Sequence, residues 1–195
     1  ATTGLAATHL SGTTIHAWSG IGVTDFFDKR QAGQLPKSRH ELMIKADVLI
    51  IDEISMLHDF RLDMVDDMLR FVRKTNEPFG GLQVILCGDF FQLPPVNRSG
   101  GRGGSFVTNS AVWRQDVFTV CYLHTQFRQK EDEAYTNILN GIRAGVLTRS
   151  QLDALHNRTG AIADPFTTRT RLLTVNVDVD EVNHTHLDDL DGADH

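Results

Sequence analysis

The sequence predicts an α/β domain built on a parallel sheet flanked by helices. Two short apolar runs, at residues 47–52 (DVLIID) and 82–87 (LQVILC), bracket an amphipathic stretch at residues 60–75. Strand, helix and strand, each of ordinary length, make the βαβ unit of a parallel sheet. The bulk composition agrees: 195 residues, 41% hydrophobic and 23% charged, are globular values that leave no room for wholesale disorder. Neither a membrane span nor a signal peptide is visible in the pattern, so the chain is read as cytosolic.

Taken in order, residues 1–7 read as the end of a strand running into a glycine-containing turn. Residues 11–23 mix small, β-branched and aromatic side chains, and residues 24–45, with Pro36, read as loop and short helix. The run 47–52 is continuously apolar, the pattern of a strand covered on both faces. In residues 60–75, Leu62, Val65, Leu69 and Val72 fall on one helical stripe. The 82–87 strand is broken by Gly88, and the glycine-rich stretch 97–105 (NRSGGRGGS) is expected to be a mobile loop. A third strand is expected at 117–123. A helix follows at 131–144, with Tyr135, Ile138, Leu139 and Ile142 inward and Gly145 as its stop. Thr148 and Gln151 then form a capping box that opens another helix, 171–175 reads as a strand and 180–190 as a polar helix. Cys87 and Cys121 sit in apolar runs without metal-ligand spacing and are expected to be buried free thiols.

The chemistry lies where the strands end. In open parallel sheets ligands bind beyond the carboxyl ends of the strands. The first such place is Asp52-Glu53, after a buried strand, the Walker B arrangement of nucleoside triphosphatases in which the Asp holds Mg²⁺ and the Glu deprotonates the attacking water. An acidic turn that merely caps the following helix is the competing reading. The second is residues 87–96 (CGDFFQLPPV), where Gly88 permits a tight exit and Gln92 offers a neutral amide to a γ-phosphate or its water. An ordinary proline-stiffened loop is the alternative. A carboxylate pair of this kind calls for a G-x-x-x-x-G-K-[ST] loop, and the 195 residues contain none.

The ordered set ATTGLAA, GTTIH, IIDEISML, GDFFQLPPV and QFRQ resembles the petite-integration-frequency (PIF) family of 5′-to-3′ DNA helicases, RecD-like members of superfamily 1B. The resemblance implies a RecA-like P-loop NTPase domain over residues 1–165, incomplete at its N-terminus, with residues 19–45 as a small wedge insertion and residues 166–195 as the start of a second RecA-like domain. It implies ATP and Mg²⁺ as cofactors. Asp52 matches the metal-binding carboxylate, Glu53 the general base, Gln92 the γ-phosphate sensor and Arg128 an arginine finger, with Asp89 also facing the nucleotide. Thr3 and Gly4 match a motif on the single-strand backbone, His16 lies along the same strand, and Pro94, Pro95 and Val96 match a stiff segment beside the DNA. Without the family, His16 would be read as a packed residue and Arg128 as a surface one.

The implied activity is translocation on single-stranded DNA and unwinding of forked duplex in repair, recombination or telomere maintenance. The working unit is implied to be a monomer with no membrane contact, cytoplasmic in bacteria and nuclear or mitochondrial in eukaryotes. The 195-residue chain alone is expected to be inactive, because the phosphate-binding loop and most of the second motor domain lie outside it. A RecA-like or AAA-like nucleotide switch that does not act on DNA, and a catalytically silent single-strand-binding module, remain open. A net charge of −6 at first argues against DNA, but residues 178–195 hold seven acids and no Lys or Arg, which leaves residues 1–177 at +1. Trp18, Phe90 and Phe91 lie near the matching motifs as aromatics for base stacking or for the core.

Overall fold

The computed structural model describes residues 1–97, 100–125, 127, 132–159 and 172–188. The chain divides into two compact units, Ala1–Phe127 and Arg128–His195.

The first unit is organised by one long helix. In chain order it holds α1 (Gly4–His9), α2 (Ile15–Ser19), α3 (Lys29–Gly33), α4 (Lys37–Lys45), β1 (Val48–Ile51), α5 (Asp59–Arg73) and β2 (Gln83–Leu86). β1 and β2 pair in parallel, with Val48 opposite Gln83 and Ile51 opposite Leu86, and α5 is the crossover between them. The predicted stripe is realised: Leu62, Val65 and Leu69 are fully buried and Val72 nearly so. Phe60, Met64 and Met68 widen it and meet Leu49, Ile51 and Val107 in one core.

Asp59 opens α5 by accepting the Phe60 N–H at 2.9 Å, a carboxylate placed where the helix leaves N–H groups unpaired. The far end is closed by Arg73. Its guanidinium donates to the carbonyls of Gly80 (2.8 Å), Met43 (3.1 Å), Ile44 (2.9 Å) and Ala46 (3.3 Å), so it caps the last turn of α4 as well. Replacing Arg73 by Met keeps the stem and removes these bonds. The expected loss is about 2 kcal/mol in urea unfolding, in the range of hydrogen bonds from a charged donor. Gly80 is required beside it, since a Cβ there would sit 2.6 Å from the Leu69 carbonyl oxygen and its φ is +64°.

Several expectations are corrected. Residues 1–7 do not end a strand: Thr3 caps α1 by accepting the Ala6 N–H at 3.2 Å, and the alanine-rich turn that follows is a good helix former. β1 is not covered on both faces. Leu49 and Ile51 face the core, whereas Val48 (42%) and Ile50 (51%) are exposed, because α5 covers one side only among the described residues. Residues 117–123 form no strand. The described sheet contains only β1 and β2, and a ribbon with no neighbour to take its backbone bonds stays irregular. The glycine-rich stretch is pinned rather than loose where it is described, as set out below. Cys87 and Cys121 are both exposed.

In the second unit, α6 (Glu133–Ala144) is capped by Asp132, which accepts the Tyr135 N–H at 2.8 Å, and ends at Gly145 in the left-handed region. α7 (Arg149–His156) carries the predicted capping box. Gln151 Nε2 donates to the Asn137 carbonyl at 2.9 Å and ties α7 to α6. The inward face foreseen for α6 is only partly formed: Ile138 and Leu139 are half-buried, while Tyr135 and Ile142 are exposed. Residues 172–175 lead irregularly into α8 (Asn176–Asp188), so the described part of the strand foreseen there is absent and the helix starts earlier than expected. No described helix is long and apolar enough to cross a membrane.

Candidate nucleotide and polynucleotide sites

The two polar clusters foreseen at strand ends lie side by side. Past the last paired residues the ladder continues, with Cys87 N–H donating to the Ile51 carbonyl (2.9 Å) and Ile54 N–H to the Cys87 carbonyl (3.0 Å). Asp52-Glu53 and Gly88-Asp89 therefore leave the carboxyl ends of adjacent parallel strands together. Gly88 makes the approach possible: a Cβ on it would lie 2.8 Å from Ile54 Cγ2 and 2.9 Å from the Ile54 nitrogen. Glu53 turns the chain out of the strand in the left-handed region, φ 55° and ψ 45°, into the short 3₁₀ turn Ile54–Met56. A non-glycine residue held there stores roughly 1 kcal/mol or more of strain, as is common at functional sites.

Asp52 Oδ1 accepts the Glu53 N–H at 2.9 Å, which fixes the carboxylate beside the turn. The Glu53 carboxylate has no hydrogen bond or ion pair among the described residues, so it is available to a ligand. Asp89 holds its own turn: Oδ1 accepts the Phe91 N–H (3.0 Å), and Oδ2 takes the Gln92 side-chain amide at 3.4 Å. Gln92 is exposed and thereby oriented. No group of three or more His, Cys, Asp or Glu side chains converges among the described residues. Partial burial, then the Asp52 charge, pushes the Cys87 thiol up, so it stays protonated at the edge of this site. Ser55, next along the turn, is fully buried and its hydroxyl has no partner.

A groove of about 410 Å³ opens on the neighbouring face, and Thr3, His16 and Val96 line it together. Gly4 follows Thr3 at the start of α1 with open space around its Cα. Gly4, Pro94 and Pro95 are not among the residues that line the groove; Pro94 is exposed and Pro95 buried. Sequence reasoning missed His58, Phe60, Arg61 and Arg102, which line the same groove. The only local signal was their cationic or aromatic character; their convergence depends on the 97–105 stretch returning to the start of α5. Arg61 is buried and donates to the carbonyls of Gly22 (3.2 Å) and Val23 (3.1 Å) and to Asp25 Oδ1 (3.2 Å). Phe90 is exposed and packs edge-on against Phe106 and Trp113. Phe91 is 72% exposed, and Trp18 lines a different hollow with Leu42 and Lys45. Arg128 lies outside the described residues.

Burial lowers the His16 pKa, and the charges of Arg61 and His58 lower it further. The unfolded chain, with an ordinary imidazole near 6.5, then binds more protons than the folded one as pH falls below that value. Stability is thus complete above pH 6.5 and is lost as pH drops through the folded His16 pKa. A His16→Gln variant is expected to show a flatter fall in urea midpoint between neutral and mildly acidic pH than the wild type.

The two regions share a joint. Thr2 N–H donates to the Asp52 carbonyl (3.3 Å) and Thr2 Oγ1 to the Glu53 carbonyl (2.9 Å), while Thr3, the next residue, caps α1 and lines the groove.

Comparison with known proteins gives this arrangement a family context. The model of the PIF1-like helicase family matches residues 1–151. The ATP-dependent DNA helicase Pif1 of Psychrobacter sp. (strain PRwf-1) is 43% identical over 205 residues, an alignment that takes in 98% of this chain and 30% of that protein. The crystal structure of a Bacteroides Pif1 helicase with ADP-AlF₃ and single-stranded DNA superposes with a TM-score of 0.83 at 32% identity, covering 98% of this chain and 47% of that one. A structure of two coordinating Pif1 helicases at forked double-stranded DNA gives a TM-score of 0.75 at 34% identity, over 95% of this chain and 46% of that one. The chain thus spans about a third of its curated relative and under half of these solved chains. The α/β, RecA-like fold class read from the sequence is the one these structures share.

Proposed function

Because this chain belongs to the PIF1-like helicase family, we propose that it forms the nucleotide- and strand-facing part of the first motor domain of an ATP-dependent 5′-to-3′ DNA helicase. The observation that carries this reading is the Thr2–Thr3 joint: one residue is bonded to the backbone of both strand-end carboxylates, and the next lines the groove with His16 and Val96. A displacement at Asp52-Glu53 is thereby passed to a strand-contacting residue without any intervening element.

Within the reading, Asp52 would hold Mg²⁺, and the cation would supply charge neutralisation to the phosphates of the nucleotide. Glu53 takes the proton of the attacking water, and Gln92, oriented by Asp89, contacts the γ-phosphate or that water. Arg128 is assigned as the arginine finger on the family pattern. Thr3, His16 and Val96 face the strand from the groove, and Gly4, Pro94 and Pro95 are assigned to the strand-binding surface on the family pattern.

The substrates are single-stranded DNA and forked duplex, and the setting is DNA repair, recombination or telomere maintenance. A strand-displacement assay on the full-length protein tests the reading. A forked duplex with a 5′ single-stranded tail should be opened in the presence of ATP and Mg²⁺, and one with only a 3′ tail should not. Absence of unwinding from either tail would sink it.

A further inference from the structure

The described residues of the glycine-rich stretch, Asn97 and Gly100 to Ser105, are a built part of the groove. Asn97 bridges it internally, accepting the Gly104 N–H at 2.9 Å and donating to the Gly104 carbonyl at 3.1 Å, and its side-chain oxygen also meets His58 Nε2 at 3.1 Å. Ser105 is bonded twice to the start of α5: its carbonyl accepts the Asp59 N–H at 2.9 Å, and its N–H donates to the Asp59 side-chain Oδ1 at 3.2 Å. Gly104 lies so close that a Cβ would be 2.8 to 2.9 Å from side-chain atoms of Asp59, Phe60 and His58.

Between these fixed ends, Arg102 donates its backbone N–H to Asp25 Oδ2 at 3.1 Å and one guanidinium nitrogen, Nη1, to the Asp25 carbonyl at 3.2 Å. Its guanidinium carbon lies 4.6 Å from the centre of the Phe60 ring, and that of Arg61 lies 5.2 Å from the same centre. Arg102 Nε and Nη2 have no protein partner among the described residues, and the side chain is exposed at the rim of the groove.

We propose that Arg102 is a phosphate-contacting residue for the polynucleotide in this groove, with Phe60 as the platform that holds its guanidinium flat and aimed. Charge and geometry both favour it. Two guanidinium groups share one aromatic ring, and the carboxylate that faces both, Asp25, is already paired with Arg61. The Asp59 carboxylate is turned to the N–H groups of Phe60 and Ser105. The surplus positive charge therefore faces the groove, on a side chain whose rotamers are already restricted by the ring and by Asp25. Ordering it on binding costs little entropy, and its free nitrogens can meet phosphate oxygens in a fork.

The assignment rests on the groove being a strand-binding site, and the experiment separates the two. Binding of the full-length protein to a fluorescent oligothymidylate of about sixteen nucleotides is measured across a salt series. Wild type, Arg102→Ala, Arg102→Lys and Thr3→Ala are compared, each after its thermal midpoint has been matched to the wild type. Arg102→Ala should weaken binding about five- to tenfold at low salt and reduce the slope of log K against log salt by about one. Arg102→Lys should restore the slope but only part of the affinity. If Thr3→Ala weakens binding while Arg102→Ala leaves affinity and slope unchanged, the Arg102 assignment is overturned and the groove stands. A weaker Arg102→Ala complex with an unchanged slope overturns it too, since packing rather than phosphate contact would then be responsible. Failure of the wild type to bind overturns both.

Discussion

Replacing Glu53 by Gln in the full-length protein should lower ATP turnover by about 10²-fold or more while leaving DNA affinity within about twofold of the wild type. The substitution keeps the shape and removes only the proton acceptor. Nothing in the fold depends on the carboxylate: among the described residues it takes no hydrogen bond or ion pair, and the backbone contacts of Glu53, with Thr2 and Asp52, are retained in Gln. The left-handed backbone at this position is as costly for Gln as for Glu, so stability should move little. Steady-state turnover with saturating single-stranded DNA reads the effect. A Glu53→Gln enzyme within about threefold of the wild type would remove Glu53 from the role of general base, since such a group is worth far more.

Gly88→Ala should damage both the fold and the chemistry. The added carbon would meet Ile54 Cγ2 at 2.8 Å and the Ile54 nitrogen at 2.9 Å. Neither can yield cheaply. Ile54 is buried, and its N–H is committed to the Cys87 carbonyl at 3.0 Å, the bond that holds the two strand ends together. The expected destabilisation is about 1 to 3 kcal/mol, the usual cost of overpacking. The Asp52-Glu53 turn is pushed away from Asp89 and Gln92, so turnover of the still-folded fraction should fall at least about tenfold. Gly103→Ala is the control, because nothing lies within 4 Å of its Cα-attached position, and it should change urea midpoint and turnover only marginally. Equal behaviour of the two variants would mean that the close approach of Gly88 to Ile54 is not needed.

The βαβ unit was readable because its signals are local. The stripe Leu62, Val65, Leu69 and Val72 sets a helix by period alone, and an apolar run followed by Asp52-Glu53 marks a strand end whatever surrounds it. Where the reading failed, the deciding partner was distant or a short-range cap outweighed the pattern. Residues 117–123 have strand composition, yet a strand exists only beside another, and none is described there. Thr3 turns what looked like a strand end into the cap of α1. Val48 and Ile50 carry the apolar character of a buried strand while standing exposed, because composition does not say which faces are covered. For the groove, Thr3, His16 and Val96 were selected on the family pattern, and the structure brings them to one cavity. Phe60 and Arg102 could not have been joined to them from sequence. Arg102 reaches the groove because Gly104 and Asn97 pin its loop 40 residues or so along the chain from Phe60, a non-local arrangement that leaves no period to read.

In the proposed helicase the strand-end carboxylates and the groove work as one unit, joined through Thr2 and Thr3. The most direct measurement is ATP turnover by the full-length protein as single-stranded DNA is titrated in. Turnover should rise severalfold and saturate, and Thr3→Ala should shift the half-saturating DNA concentration upward. A rate indifferent to DNA at every concentration would contradict the account and leave a nucleotide switch that does not act on DNA.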